Sequence, residues 1–276
     1  TYEDEGLAGV FNIHAFDLPG RRLAVSFDNI TQRKRAEEAL RRIEWLLTRK
    51  PAEVIEPYLP SYGDLVDLNT GGEILQSVGR KLLTDIVSDY LYLLETSAAV
   101  YEKNGDYALG IFSSGWCRFM DAASRRLCGD CGNREALESG RWHCHESCWS
   151  EASRTAIERR EAVDVACAGG LRIYALPVMV GGTDEVIGAI NFGYGDPPRD
   201  ADQLKALARR YQVDADELRR LAEAYESRPP FLIQAAKARL AVSARIIGEI
   251  VRRTRIEDTL RSNGRDNGRQ ATENSP

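Results

Sequence analysis

Two turn sequences, each between strand-like runs, constrain the fold of this chain more than any other feature. Asn104-Gly105 divides the run from Ala98 to Phe112, and Gly181-Gly-Thr-Asp184 joins the runs 171–180 and 186–192. Asn-Gly between alternating apolar residues is the strongest short-range signal for a β-hairpin. The segment between the hairpins carries helical patterns over two ranges, 133–139 and 146–160. Four antiparallel strands with inserted helices predict an α+β fold.

Amphipathic helical patterns flank the predicted sheet on both sides. The helix before it repeats apolar residues every four positions: Val78, Leu82, Ile86, Tyr90 and Leu94. Two acid-capped helices are predicted over 200–211 and 214–225. A last helix, 231–260, has a three-four seam: Leu240, Ser243, Ile247, Ile250 and Thr254. Such a seam suits a parallel coiled coil, so we expect a homodimer through helices.

The N-terminal part predicts half of a domain rather than a whole one. Its apolar runs between Leu7 and Phe27 turn at Pro19-Gly20, as in a hairpin. Two strands alone are marginal in water, so they need partners from sequence outside this chain or from a second chain. The helix that follows has a coiled-coil seam: Ala36, Leu40, Ile43 and Leu47. Because the first residue is Thr1, we expect a fragment of a longer protein.

Composition narrows the classes of function. The chain has 42 acidic and 37 basic residues, a net charge of -5, so no direct nucleic-acid partner is expected. No apolar run approaches the roughly 18 residues that would span a bilayer, and no signal peptide is visible. We therefore expect a cytoplasmic protein without a membrane partner. In a reducing compartment, clustered cysteines are metal ligands or redox groups more often than disulfides.

All six cysteines fall between Trp116 and Tyr174. Two near pairs have the spacing of a four-thiolate site: Cys128, Cys131, Cys144 and Cys148. This donor set suits zinc or an iron-sulfur cluster. A rival set draws on the ends of both hairpins: Cys117, Cys144 and Cys167. Spacing does not decide between the sets, and the alternative is that some of these cysteines are buried small hydrophobic residues.

Aromatic residues surround the cysteines and predict the walls of a small-molecule pocket. The predicted ligand-binding residues are Phe112, Trp116, Cys117, Trp149, Cys167 and Tyr174. The alternative for the aromatic residues is an ordinary core. His143 and His145 flank Cys144, and either could join a site or face solvent.

Several sequence motifs resemble those of the PocR-type sensory domain family over about residues 58 to 255. They are Tyr101-Glu-Lys-Asn-Gly-Asp-Tyr-Ala-Leu-Gly-Ile-Phe-Ser-Ser-Gly-Trp-Cys117, Trp142-His-Cys-His-Glu-Ser-Cys-Trp149, Cys167-Ala-Gly-Gly-Leu171, Ile187-Gly-Ala-Ile-Asn-Phe-Gly-Tyr-Gly-Asp-Pro-Pro198 and Tyr225-Glu-Ser-Arg-Pro-Pro-Phe231. The resemblance implies a PAS-like fold, small organic ligands such as diols, and an output elsewhere. Cysteines at the places of Cys117, Cys144 and Cys167 recur in the family, whereas Ala168 stands where many relatives have His.

The segment Asp28-Asn-Ile-Thr-Gln-Arg-Lys-Arg-Ala-Glu-Glu-Ala-Leu40 resembles the end of a PAS domain and its signalling helix, with Asn29 as a departure. The predicted organisation is a PAS remnant (1–30), a signalling helix and linker (31–57), the sensory domain (58–230), a C-terminal signalling helix (231–261) and a disordered tail (262–276). The fold class is therefore α+β, a PAS-like antiparallel sheet with inserted helices between coiled-coil-type signalling helices.

These features predict a non-enzymatic sensory module of a signal-transduction protein. It would bind a small organic ligand, a metal or a redox centre at the cysteine-rich site and relay its state through the flanking helices. No kinase histidine motif or ATP-binding pattern is visible, so a kinase or other output would lie elsewhere in the polypeptide or on another chain. The alternatives are a cysteine-dependent enzyme, which needs a nearby His as base, and a zinc-stabilised interaction domain.

Overall fold

The chain divides into two compact units, residues 1–53 and 54–276. The structure is a computed structural model, and it describes residues 2–4, 7–20, 22–48, 58–94 and 96–273. Within these residues, no helix combines the length and hydropathy that a bilayer span requires. Residues 49–57, the end of the predicted linker and signalling helix, lie outside the described part.

The first unit consists of two hairpins and a helix. Strands β1 (Tyr2–Asp4) and β2 (Leu7–Gly9) pair, as do β3 (Phe11–Leu18) and β4 (Arg22–Asn29), and helix α1 covers Thr31–Thr48. The β3–β4 pair turns at Pro19-Gly20, as the sequence predicts. Its apolar side chains are largely exposed within the described residues: Ile13, Phe16, Leu23, Val25 and Phe27. Whether this unit is a PAS remnant stays a prediction.

The second unit contains the remaining elements in chain order. They are α2 (Glu73–Val78), α3 (Arg80–Leu94), β5 (Ser97–Glu102), β6 (Tyr107–Phe112), α4 (Gly115–Arg126), α5 (Asn133–Glu138), α6 (His143–His145), a π-helix (Glu146–Ser153), α7 (Arg154–Arg159), β7 (Val163–Ala166), β8 (Arg172–Met179), β9 (Val186–Tyr194), α8 (Ala201–Tyr211), α9 (Ala215–Ala224) and α10 (Pro230–Glu273). A 3₁₀ turn, Leu65–Leu68, precedes α2.

The sheet of this unit is antiparallel, with the strand order β6-β5-β9-β8-β7. Both predicted hairpins are present, and Gly105 in the first turn has a φ of +96°, which glycine adopts without strain. The α+β class is therefore confirmed. The short edge strand β7 was not predicted, because four residues are too few for an alternating pattern to stand out. Asp200 and Asp214 cap α8 and α9 as predicted.

The prediction of one continuous helix over residues 74–94 is wrong, because two helices cover this range. Gly79, at a φ of +78°, separates α2 from α3, so the buried face changes phase. Leu83 and Val87 are fully buried, whereas the predicted position Leu82 is 42% exposed. Two other predicted positions, Val78 and Leu94, are buried and Ile86 packs against the same core, so among the described side chains the repeat follows the buried face except at Leu82.

Helix α10 corrects two further predictions. Three of its predicted coiled-coil seam residues are buried inside the unit: Leu240, Ser243 and Ile247. They face β8, β9, α2 and α3, so the seam packs on this chain's own sheet and helices rather than on a partner. The helix also continues to Glu273, so the tail predicted to be disordered from Ser262 is helical that far.

Candidate functional site

Four of the six cysteines line one cavity against the sheet. Cys117 lies in the first turn of α4, Cys144 in α6, Cys148 in the π-helix and Cys167 directly after β7. Local structure fixes each position: the hydroxyl of Ser114, for example, accepts the backbone N–H of Cys117 at 3.0 Å and starts α4 there. The cavity thus unites the rival cysteine set with Cys148.

The rest of the cavity wall is largely apolar. The sheet contributes Ser97, Phe112, Arg172, Ile173 and Gly193, and the helices and loops contribute Trp116, Met120, Asp121, Gly169 and Leu171. The cavity volume is about 30 Å³, whereas one water molecule needs about 10 to 15 Å³. A single ion or two water-sized groups fit, but a diol of several heavy atoms does not fit without movement of side chains.

Burial governs the ionisation of these thiols. It raises the pKa of Cys117, Cys144 and Cys148 above the ordinary thiol value, and that of Cys167 to about 11. All four are therefore protonated at neutral pH in the absence of a bound cation. A protonated thiol is a poor nucleophile, which weighs against the cysteine-dependent enzyme.

Two buried polar groups beside the thiols were not predicted. Asp121 accepts hydrogen bonds from the Trp142 indole N–H at 2.8 Å and from the Tyr62 hydroxyl, and burial raises the pKa of Asp121 to about 6. The Tyr211 hydroxyl is buried and lies beside Cys144 and Cys167. Asp121 could have been found from its spacing, because Cys117 and Asp121 stand four residues apart on one helix.

The two histidines that flank Cys144 have different surroundings. The ring of His143 meets Tyr211 edge-to-face at 5.4 Å. His145 is buried, with its Nδ1 3.0 Å from the Tyr107 hydroxyl, and burial lowers the pKa of His145 to about 4. Among the described residues, neither imidazole hydrogen-bonds to a cysteine, so the base that a cysteine nucleophile needs is not in place.

Cys128 and Cys131 do not line the cavity. Cys128 packs in a core cluster with Trp142, and its thiol approaches the carbonyls of Ser124 and Ala136. The thiol of Cys131 points to the Cys128 carbonyl at 3.4 Å. In the described part of the chain, no three His, Cys, Asp or Glu side chains already stand in a metal-binding arrangement. The four-thiolate set and its three-cysteine rival therefore stay predictions.

The predicted ligand-binding residues divide among three places. Phe112, Trp116, Cys117 and Cys167 line the thiol cavity. Trp149 lines a separate outer cleft. Tyr174 packs with the core that contains α10, on the other sheet face from its neighbours Ile173 and Ala175, because side chains alternate along a strand.

Comparison with known proteins gives one result. A family model described as "Sensory domain found in PocR" matches residues 77–251, more than half of the chain. No curated protein and no solved structure gives a significant match. The matched region begins in α2 and ends in α10, and it contains every residue of the thiol cavity.

Proposed function

The chain belongs to the family of sensory domains found in PocR, and from that premise we propose that it detects its signal at the thiol cavity. The observation that carries the proposal is the convergence of Cys117, Cys144, Cys148 and Cys167, which are up to 50 residues apart in sequence, around one space. Structural roles alone rarely bring four thiols together beside a sheet, whereas thiolate-binding metals require it.

We propose a thiophilic metal ion such as zinc as the signal. Four sulfur donors suit tetrahedral coordination, and the cavity volume suits a single ion better than an iron-sulfur cluster or a diol. The thiols would turn inward, lose their protons and converge, so binding would strengthen as the pH rises. The Tyr211 hydroxyl is placed to donate to a thiolate of Cys144 or Cys167. Formation of a disulfide between cavity cysteines is the second candidate for the signal. It ranks below metal binding because protonated, buried thiols exchange slowly.

Cys167 is the thiol that an incoming ion would meet first. Besides the inner cavity, it lines an open cleft of about 370 Å³ with Pro198, Gln203 and Arg210. Cys167 therefore stands in the wall between the inner cavity and the outer cleft. This position supports access from solvent without unfolding.

A charged network supports a relay from the cavity to α10. Arg172, which lines the cavity, binds Asp164 of β7 at 2.6 Å, three residues before Cys167. The Nζ of Lys237 in α10 lies 2.6 Å from the same carboxylate and about 4.5 Å from the ring centroids of Tyr174 and Tyr194. Movement of Cys167 would therefore shift Asp164, and Lys237 would carry that shift to α10 and an output beyond it.

Metal analysis of protein purified without oxygen tests the proposal, with zinc supplied and then removed by gel filtration. We expect about one ion per chain. The Cys117→Ser/Cys144→Ser/Cys148→Ser/Cys167→Ser variant should lose it, whereas the matched control Cys128→Ser/Cys131→Ser should retain it. An empty wild type, or loss in the control alone, would contradict the proposal. Circular dichroism of each variant verifies that it is folded.

A further inference from the structure

A second cleft, separate from the thiol cavity, has the size of a small-molecule site. It has a volume of about 380 Å³, within the range of ligand pockets. The β5–β6 turn, α5 and the π-helix with its flanking turns form it, and its lining is Asn104, Gly105, Asp106, Arg134, Leu137, Glu138, Gly140, His145, Glu146, Trp149, Ser150 and Arg154. The metal-binding function proposed above does not use this cleft.

The charges in this cleft do not cancel. Arg134 is held by Asp106 at 2.6 Å and by the Leu68 carbonyl at 2.6 Å. Glu146 accepts only a neutral hydrogen bond, from Ser150 at 2.6 Å, and no described cation pairs with Glu138. Glu138 and Glu146 therefore have no ion-pair partner among the described residues.

The remaining cation of the cleft, Arg154, has one solvent-exposed ion-pair partner. Arg154 pairs, at 3.9 Å, with Glu158 on the next turn of its own helix. Arg154 still lines the cleft, so the lining holds the carboxylates of Asp106, Glu138 and Glu146 against two guanidiniums, a net charge of -1. The local potential is thus negative, which favours a positively charged ligand.

Trp149 adds an aromatic wall to this negative surface. Its ring lies against the turn at Gly105, where a Cβ would come within 2.7 Å of the indole. No hydrogen-bond acceptor for its indole N–H is described, and the buried side chain of His145 closes the cleft nearby. Tryptophan is the side chain that attracts cations most strongly through its ring face.

We propose that this cleft binds a small organic cation, an alkylammonium group held between Glu138, Glu146 and the Trp149 ring. Leu137 and Trp149 accommodate the alkyl part, which a bare metal ion lacks. The site does not depend on the thiol cavity for its chemistry. The π-helix is nevertheless common to both, because Cys148 lines the cavity and Trp149 lines the cleft.

Isothermal titration with three probes of equal chain length tests the charge preference: propylammonium, propan-1-ol and propionate. We expect propylammonium to bind in the millimolar range, and the other two to bind at least 10-fold more weakly. Equal or tighter binding of propionate or propan-1-ol overturns the proposal. So does the absence of any propylammonium binding.

Variants locate the site. Glu138→Gln/Glu146→Gln keeps the side-chain shapes and should weaken propylammonium binding about 10-fold, whereas Glu135→Gln, on the same α5 but outside the cleft, should leave it unchanged. Equal affinity in the double variant and wild type overturns the proposal. The Cys117→Ser/Cys144→Ser/Cys148→Ser/Cys167→Ser variant should still bind propylammonium, which separates this result from the fate of the metal proposal.

Discussion

Asp121 is a buried carboxyl in the wall of the thiol cavity. Asp121 is 4% exposed, and the hydrogen-bond donors to its carboxyl, Tyr62 and Trp142, only partly offset the cost of burying the charge. The pKa of Asp121 consequently rises from 3.8 to about 6. The folded protein therefore binds a proton at this position more tightly than the unfolded chain does.

The folded protein should lose stability as the pH rises through the pKa of Asp121. A carboxyl whose pKa is raised by folding contributes stability below the unfolded pKa, and that contribution is lost as the pH rises through 6. The loss is about 3 kcal/mol, from a shift of about two pKa units. We predict that Asp121→Asn removes this dependence, so its free energy of unfolding gains on wild type between pH 4 and pH 7.

Urea denaturation at several pH values measures the effect. The exposed substitution Asp130→Asn serves as the control, and its difference from wild type should stay flat. A constant difference between wild type and Asp121→Asn across this pH range would show that Asp121 is not the titrating group.

Cysteine spacing in the sequence could not identify which cysteines line the cavity. The near pair Cys128 and Cys131 is a good chelating pattern in sequence, but Arg125 folds this loop back on itself by binding the carbonyls of Gly129 and Cys131. Arg125 lies in the last turn of α4, so the conformation of this loop depends on that helix and not on cysteine spacing. Cys167, in contrast, reaches the cavity through the pairing of β7 with β8, which the sequence did not predict.

Helix α10 shows a similar limit for a whole element. A three-four apolar pattern has the same appearance whether the helix packs on another helix or on a sheet, so its existence was predictable and its partner was not. Gly248 is the residue that distinguishes the two. A Cβ there would lie 1.7 Å from the Met179 carbonyl oxygen, so α10 lies against the end of β8 more closely than a side chain permits.

Lys237 ties α10 to β7 and should affect both stability and relay. The pair with Asp164 is partly buried, at 20% and 31% side-chain exposure, so Lys237→Met should cost about 1 kcal/mol of unfolding free energy. Hydrogen exchange of α10 measured with and without zinc reports the relay. We predict a zinc-dependent change in wild type that Lys237→Met abolishes.

The matched control for this experiment is Lys205→Met. Lys205 forms a solvent-exposed pair with Asp202 on α8 and has no described contact with β7 or α10. Its substitution should preserve the zinc-dependent exchange. If Lys237→Met preserves it equally, the relay does not pass through this pair.

The predicted homodimer, if it forms through α10, must use residues beyond the core-facing seam. Ile256 and Leu260 stand four residues apart on one helix face and are 46% and 66% exposed. We predict that Ile256→Glu/Leu260→Glu converts a dimer into a monomer in sedimentation equilibrium. At protein concentrations too low for the wild type to dimerise, the Tm of the variant should equal that of the wild type. Arg261→Glu, which also changes charge at an exposed position, should leave the association unchanged. A dimer that survives the double substitution would place the interface elsewhere.

Removal of metal distinguishes a sensor from a zinc-stabilised interaction domain. The largest apolar core of the second unit joins the sheet to α2, α3 and α10 and contains none of the four cavity thiols. The fold therefore has a core that does not depend on those thiols, and we predict that a chelator leaves the far-UV circular dichroism signal of helix largely intact.

Chelation should still lower the Tm. Zinc at one hundred times its dissociation constant stabilises the folded chain by about 2.7 kcal/mol, which for a domain of this size corresponds to roughly 5 to 10 °C in Tm. The Cys117→Ser/Cys144→Ser/Cys148→Ser/Cys167→Ser variant should not respond to the chelator. Collapse of the helical signal in wild type would instead indicate that the thiols hold the fold together, because a structural metal contributes its binding free energy to folding.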